Sequence, residues 1–213
     1  MNLKEIVITV PVIGIIVGGY CALFTYLLFT LDDPILFFKI STILILIVGS
    51  ICLIIASKGI KKNTPLIASE RRDVGISPLD CFTWGHLAFG IFSFLVELFF
   101  IVFLSLGDGI ILWWGVMQAI VLIAITWDII ENTVFIDYKI KFENRRDSIS
   151  NIFSDVFFVS YSGFLMIFVY LITDENFKIT LIIGIIALIV CGIIFYIRYR
   201  KVFLKREDYI KSK

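Results

Sequence analysis

The chain has 213 residues, 60% of them hydrophobic, a mean hydropathy of +1.00 and a formal net charge of +1. Soluble domains are usually about 45–50% apolar, so a water-soluble fold is excluded by composition. The near-zero net charge excludes a basic nucleic-acid surface, and no nucleic-acid partner is expected. The apolar residues come in long blocks separated by short charged links. This is the pattern of an all-α, polytopic transmembrane bundle.

A helix needs roughly 20 apolar residues to cross the hydrocarbon layer. Six blocks meet or approach that length, over residues 6–31, 35–56, 82–104, 110–130, 148–172 and 179–197. They form one transmembrane domain, with a connecting link at 57–80 and a basic tail at 198–213. Block 6–31 is longer than a signal-peptide core and no A-x-A site follows it, so it reads as a retained span. Within it, Gly14 and Gly18 form a small-xxx-small pair suited to close helix packing. Trp113, Trp114, Trp127 and Tyr138 fit interfacial anchors. Cys21, Cys52, Cys81 and Cys191 show no metal-binding spacing. Cys81, at a span boundary, is the position where palmitoylation would fall.

Lysine and arginine set the orientation. Seventeen of the 19 fall before the first span, in links 57–80 and 131–147, or in the tail. Only Lys39 and Lys178 lie on the other side. Both termini are therefore expected in the cytoplasm, with very short external turns. The basic residues of link 57–80 suit contact with anionic lipid headgroups.

Ionisable groups within spans are costly and tend to face the bundle interior. Here they converge on one membrane level. His86 lies near the start of the third block. Asp128, Glu131 and Asn132 end the fourth. Asp147, Asn151 and Asp155 open the fifth. The last three are spaced by four residues, so on a helix they form one stripe drifting about 40° per step and about 12 Å long. Carboxylates with one imidazole suit a divalent cation, and the candidate ligands are His86, Glu131, Asp147, Asn151 and Asp155. Crowded carboxylates also suit acid–base chemistry, which would fall to His86, Glu131 and Asp155. The third option is a hydrogen-bonded clamp between helices. Glu97 stands apart, near mid-membrane. Asp147 is also explained by a favourable place at a helix N-terminus. Arg145 and Arg146 stand where a phosphate-bearing headgroup would be held.

Trp84-Gly85-His86, Trp127-Asp128-Ile129-Ile130-Glu131-Asn132, Arg146-Asp147-Ser148-Ile149-Ser150-Asn151, Asp155 and Gly163-Phe164 together resemble the VanZ-like kind of small membrane protein. The resemblance covers about residues 81–164. It implies a shared polar site of His86, Glu131, Asn132, Asp147, Asn151 and Asp155, a link to the cell envelope and drug resistance, and no defined reaction. Asp128 stands where that pattern has glutamate, one methylene longer. Three functions stay open: binding of an ion or lipid headgroup, a membrane-embedded hydrolase or transferase acting on a lipid-linked substrate, or a structural network only. The P-loop, the dinucleotide-binding GxGxxG, the G-x-S-x-G elbow and H-E-x-x-H are all absent.

Overall fold

The computed structural model describes residues 65–105, 110–141 and 144–203, with Ile15 and Gly19 as isolated helical positions. The expected spans 6–31 and 35–56, the Gly14/Gly18 pair and the tail beyond residue 203 lie outside the described residues. The described part is helical, with one isolated bridge between Ile67 and Leu79. Four helices are long and apolar enough to cross a membrane. They are α1 (Thr83–Leu104), α2 (Ile110–Asn132), α4 (Ile149–Ile172) and α5 (Phe177–Phe203). A single short turn of helix, α3 (Val134–Asp137), follows α2. At 1.5 Å per residue each long helix exceeds the roughly 30 Å hydrocarbon layer.

Local chemistry sets the boundaries. Helix α1 ends at Ser105, whose left-handed backbone (φ 52°) returns its N–H to the carbonyls of Ile101 and Val102. Helix α4 begins behind Ser148, whose hydroxyl accepts from the Asn151 N–H, an ordinary N-cap. The α4–α5 turn is drawn tight by a 3.0 Å bond between the Thr173 and Thr180 hydroxyls, and Asn176 caps the Ile179 N–H. Helix α5 continues six residues past its expected end. Arg198, Arg200 and Lys201 therefore lie on the helix, where cations favour a C-terminus.

The bundle is built around α1 and α4, which pack on each other and carry α2 and α5 at their sides. Glycine permits the central contact: a Cβ on Gly90 would stand 2.1 Å from the Val159 carbonyl oxygen. Phe94, Leu98, Met117, Ile120, Ile152, Val156 and Ile167 fill the core. Trp113 is among them, stacked on Phe94 and tilted against Tyr170. It is a core residue, not the interfacial anchor its position suggested. Helices α1 and α5 present Phe99, Phe103, Ile186 and Ile193 outward. Apolar surface of this extent calls for an apolar solvent, so the protein is a membrane protein.

Residues 65–80 form a strap across the end of the bundle where α1 and α4 begin. The Ile67–Leu79 bridge ties its two ends, and a 3-10 turn at Arg71–Asp73 crosses between. Ala68, Val74, Cys81, Val202 and Phe203 make a small second core beneath it. Arg71 and Arg72 remain exposed. Cys81 does not: it is 0% exposed, and burial pushes its thiol up to about 12. That environment opposes acylation, since the thiolate is the nucleophile.

Candidate functional site

Three helix ends and the strap meet at a cavity of about 610 Å³. His86, four residues into α1, enters from one side. Glu131 enters from the end of α2, where Asp128 and Asn132 are buried near it. Asp147, Asn151 and Asp155 come from the start of α4. All seven lie together at one end of the bundle, as their helical spacing required.

Asn132 organises the α2 end. Its amide nitrogen donates to the Asp128 carbonyl and to Asp147 Oδ2, each at 3.0 Å. Its Oδ1 accepts from Lys141 Nζ at 2.9 Å and from the Asp147 N–H at 2.8 Å. Lys141 Nζ also binds Asp147 Oδ2 and stands 3.4 Å from Glu131 Oε1. This buried ammonium is therefore shared among three side chains. Asp147 stands at the α4 N-terminus, one residue before the cap. Ser148 caps α4, and Asp147 turns to Lys141. Burial raises the Asp147 carboxyl above its ordinary value, with the Lys141 ammonium acting in the opposite direction.

Asn151 ties the strap to α4 through its amide nitrogen. Its amide donates to the Ser77 carbonyl at 3.1 Å and to Asp80 Oδ2 at 3.4 Å. Asp80 in turn accepts from the N–H groups of Gly75 and Phe82. Burial raises the Asp80 carboxyl, and the Gly75 amide partly offsets this. Arg145 donates to the carbonyls of Arg71 and Val74, and Arg146 to that of Asn132. Both arginines fasten backbone at the helix ends. Glu97 lies eleven residues beyond His86 on α1, roughly 16 Å along the axis, and is not brought to the cluster.

Asp147 and Asp155 line the cavity and Asp128 is buried beside them; each of the three places one carboxylate oxygen within 4.8 Å of the others. Asp128 is 1% and Asp155 3% exposed, and Oδ1 of each has no hydrogen-bond partner. His86 Nε2 stands 3.4 Å from Asp155 Oδ1, close but not aligned as a hydrogen bond. Buried polar groups are nearly always satisfied, so two orphaned oxygens in one place point to a missing partner. Oxygens 2.3–2.6 Å from a calcium ion and on opposite sides of it stand about 5 Å apart, so this oxygen set can close on a divalent cation with little movement. As ionised groups, three carboxylates against one ammonium leave two negative charges, which such a cation would balance. The shorter Asp128 side chain is within reach of the other two; Glu131 faces Lys141, and the amide nitrogen of Asn151 faces the strap.

Three participants were not singled out from the sequence. Asp80 reads as an ordinary acid before a helix. Lys141 reads as one more topology-setting charge. Gly75 has φ 74°, and a Cβ there would meet Asp147 Oδ1 at 2.6 Å. Its proximity to Gly-Ile-Ser-Pro turn residues gave only a loop signal. All three lie on links, where helical periodicity carries no information.

Fold and site define a helical membrane protein with a buried acidic centre at one end of its bundle. The chain matches no family model, no curated protein and no solved structure.

Proposed function

We propose that the protein binds a divalent cation at Asp128, Asp147 and Asp155, with His86 beside them, within the cytoplasmic end of a six-span membrane bundle. The observation that carries this reading is the pair of buried, unpartnered oxygens on Asp128 and Asp155, facing a third carboxylate within ligand distance. Isolated charge inside a membrane is too costly to be left without a counter-ion. Oxygen-rich donors with one imidazole favour magnesium, calcium, manganese or zinc. The resemblance over residues 81–164 supports a place among VanZ-like proteins and a role at the cell envelope. The segregation of 17 of 19 basic residues supports both termini in the cytoplasm. A fluorescent-protein fusion after Lys213 is then expected to be bright, and an alkaline-phosphatase fusion at Asp174 active; the reverse pattern would overturn the orientation.

The direct test is thermal unfolding in detergent with EDTA, then with magnesium, calcium, manganese or zinc. A cation at 100 times its dissociation constant stabilises the native state by about 2.7 kcal/mol. The wild-type midpoint is expected to rise, and Asp155→Asn and His86→Ala to lose the response. If no cation shifts the wild type and both variants melt far lower, the cluster is a packing network.

One observation favours a second reading, a membrane-embedded hydrolase or transferase. His86 and Asp155 adjoin each other on the wall of a cavity large enough for an organic substrate. On that reading Asp155→Asn abolishes turnover of a lipid-linked substrate while the protein still folds.

A further inference from the structure

The cavity is far larger than an ion needs. About 610 Å³ would hold roughly twenty waters at ~30 Å³ each, and it falls within the size range of small-molecule sites. Its lining is of two kinds. Charged groups line it through Asp147, Asp155 and Glu131, with Lys141 and Arg145. Aromatic rings line it through Phe89, Trp127 and Phe135, with Phe89–Trp127 centroids 5.5 Å apart and Trp127–Phe135 centroids 5.7 Å apart. Trp127 lines the cavity yet is 39% exposed, and Leu122 and Thr126 continue an exposed strip along α2. Charged groups, aromatic rings and an exposed helix face beside them describe a receptor for an amphiphile rather than for a free ion.

The charge on that amphiphile's head follows from what stands among the charged groups. The position for an ammonium is already filled by Lys141, held by Asp147, Asn132 and Glu131. The neighbouring rings meet one another tilted or edge-on, rather than as a cage of faces around a cation. Hard divalent cations bound by a few carboxylates commonly complete their shell with water and phosphate oxygens.

Resting on the cation site proposed above, we propose that the cavity takes a phosphate-headed amphiphile. Its phosphate oxygens complete the shell of the cation on Asp128, Asp147 and Asp155, and its chain lies along Phe89 and Trp127. Without the cation, the carboxylates repel the phosphate. Cation and amphiphile therefore bind with positive coupling, and each tightens the other by the same factor.

The experiment uses the full chain in detergent. Magnesium is titrated calorimetrically, alone and then with short-chain phosphatidic acid, inorganic phosphate or a short-chain alkylammonium. In parallel, tryptophan fluorescence is followed with bromine-labelled phosphatidic acid, in wild type and Trp127→Phe. Phosphatidic acid is expected to bind about tenfold more tightly with magnesium than in EDTA, and to tighten magnesium equally, on the usual scale of coupling between ligands. The bromine-dependent quenching is expected to require magnesium and to vanish in Trp127→Phe. Magnesium binding with no coupling to phosphatidic acid would overturn this inference and leave the cation site standing. Equal coupling to inorganic phosphate, without quenching by the brominated lipid, would overturn the amphiphile and leave a free-phosphate site. Alkylammonium binding that competes with magnesium would overturn it in favour of an organic cation. Absence of binding by magnesium, and equally by calcium, manganese and zinc, would remove the cation reading itself, and this inference with it.

Discussion

Lys141 holds the cluster together. Its ammonium is shared by Asp147, Asn132 and Glu131, all at the end of α2 or the start of α4. Lys141→Met leaves those acids without a counter-charge, and breaking a buried pair costs about 3–5 kcal/mol. Chemical denaturation in EDTA should show that loss, and saturating magnesium should recover part of it. At Gly75 the backbone sits at φ 74° against Asp147. A side chain there costs about 1–2 kcal/mol in backbone strain, before any displacement of the carboxylate. Gly75→Ala is therefore expected to lower the melting midpoint and weaken the response to cations together. Asp80 gives a pH prediction with a definite sign. Its carboxyl is raised in the folded protein above the ordinary 3.8, so the folded state holds its proton at higher pH than the unfolded state. This contribution to stability is complete below pH 3.8 and is lost as pH rises through the raised folded value. In melts across that window in EDTA, Asp80→Asn should show a shallower loss of stability with rising pH than wild type. An unchanged slope would remove Asp80 as the source.

At the scale of elements, the site depends on how closely α1 approaches α4, because His86 rides on one and Asp155 on the other. Gly90 sets that distance through the Val159 carbonyl, a backbone atom that cannot rotate away. Gly90→Ala should cost at least the 1–3 kcal/mol typical of overpacking and should abolish the cation-induced rise in midpoint. Gly163 faces the Ile120 side chain instead, which can repack, so Gly163→Ala should be milder by the same assay. The strap is an element of this kind too. Ser148 donates to the Ile76 carbonyl, Asn151 to that of Ser77, and Arg145 to that of Val74. Cys81 reports on it: as the sole cysteine of a variant, it should resist maleimide in the native protein and react once the strap is unfolded.

Across the whole molecule, the apolar blocks and their lengths were legible in the sequence because lipid demands about 20 apolar residues per span. Four such helices stand where the blocks at 82–104, 110–130, 148–172 and 179–197 placed them. The convergence of His86, Asp128, Glu131, Asn132, Asp147, Asn151 and Asp155 at one end also followed from sequence. Alternating directions of travel bring the start of α1, the end of α2 and the start of α4 to the same level. Helical period then put Asn151 and Asp155 on one stripe, while Asp147 stands just ahead of the extended Ser148 cap, off the helix. What periodicity could not supply was the division of labour among these residues. Asn151 goes to the strap, Asp147 to Lys141, and Asp155 to the orphaned oxygens beside Asp128. Those choices depend on residues 65–80 folding back over the helix ends, which brings Asp80 and Gly75 about 70 positions along the chain to Asn151 and Asp147. They depend equally on the exit of the chain from α2, which turns Lys141 back towards Asn132. Links carry no repeating pattern to read, and their contacts are fixed only when buried polar groups find partners. The solvent preference of each segment was written in the sequence, while the pairing of its charges was decided by packing.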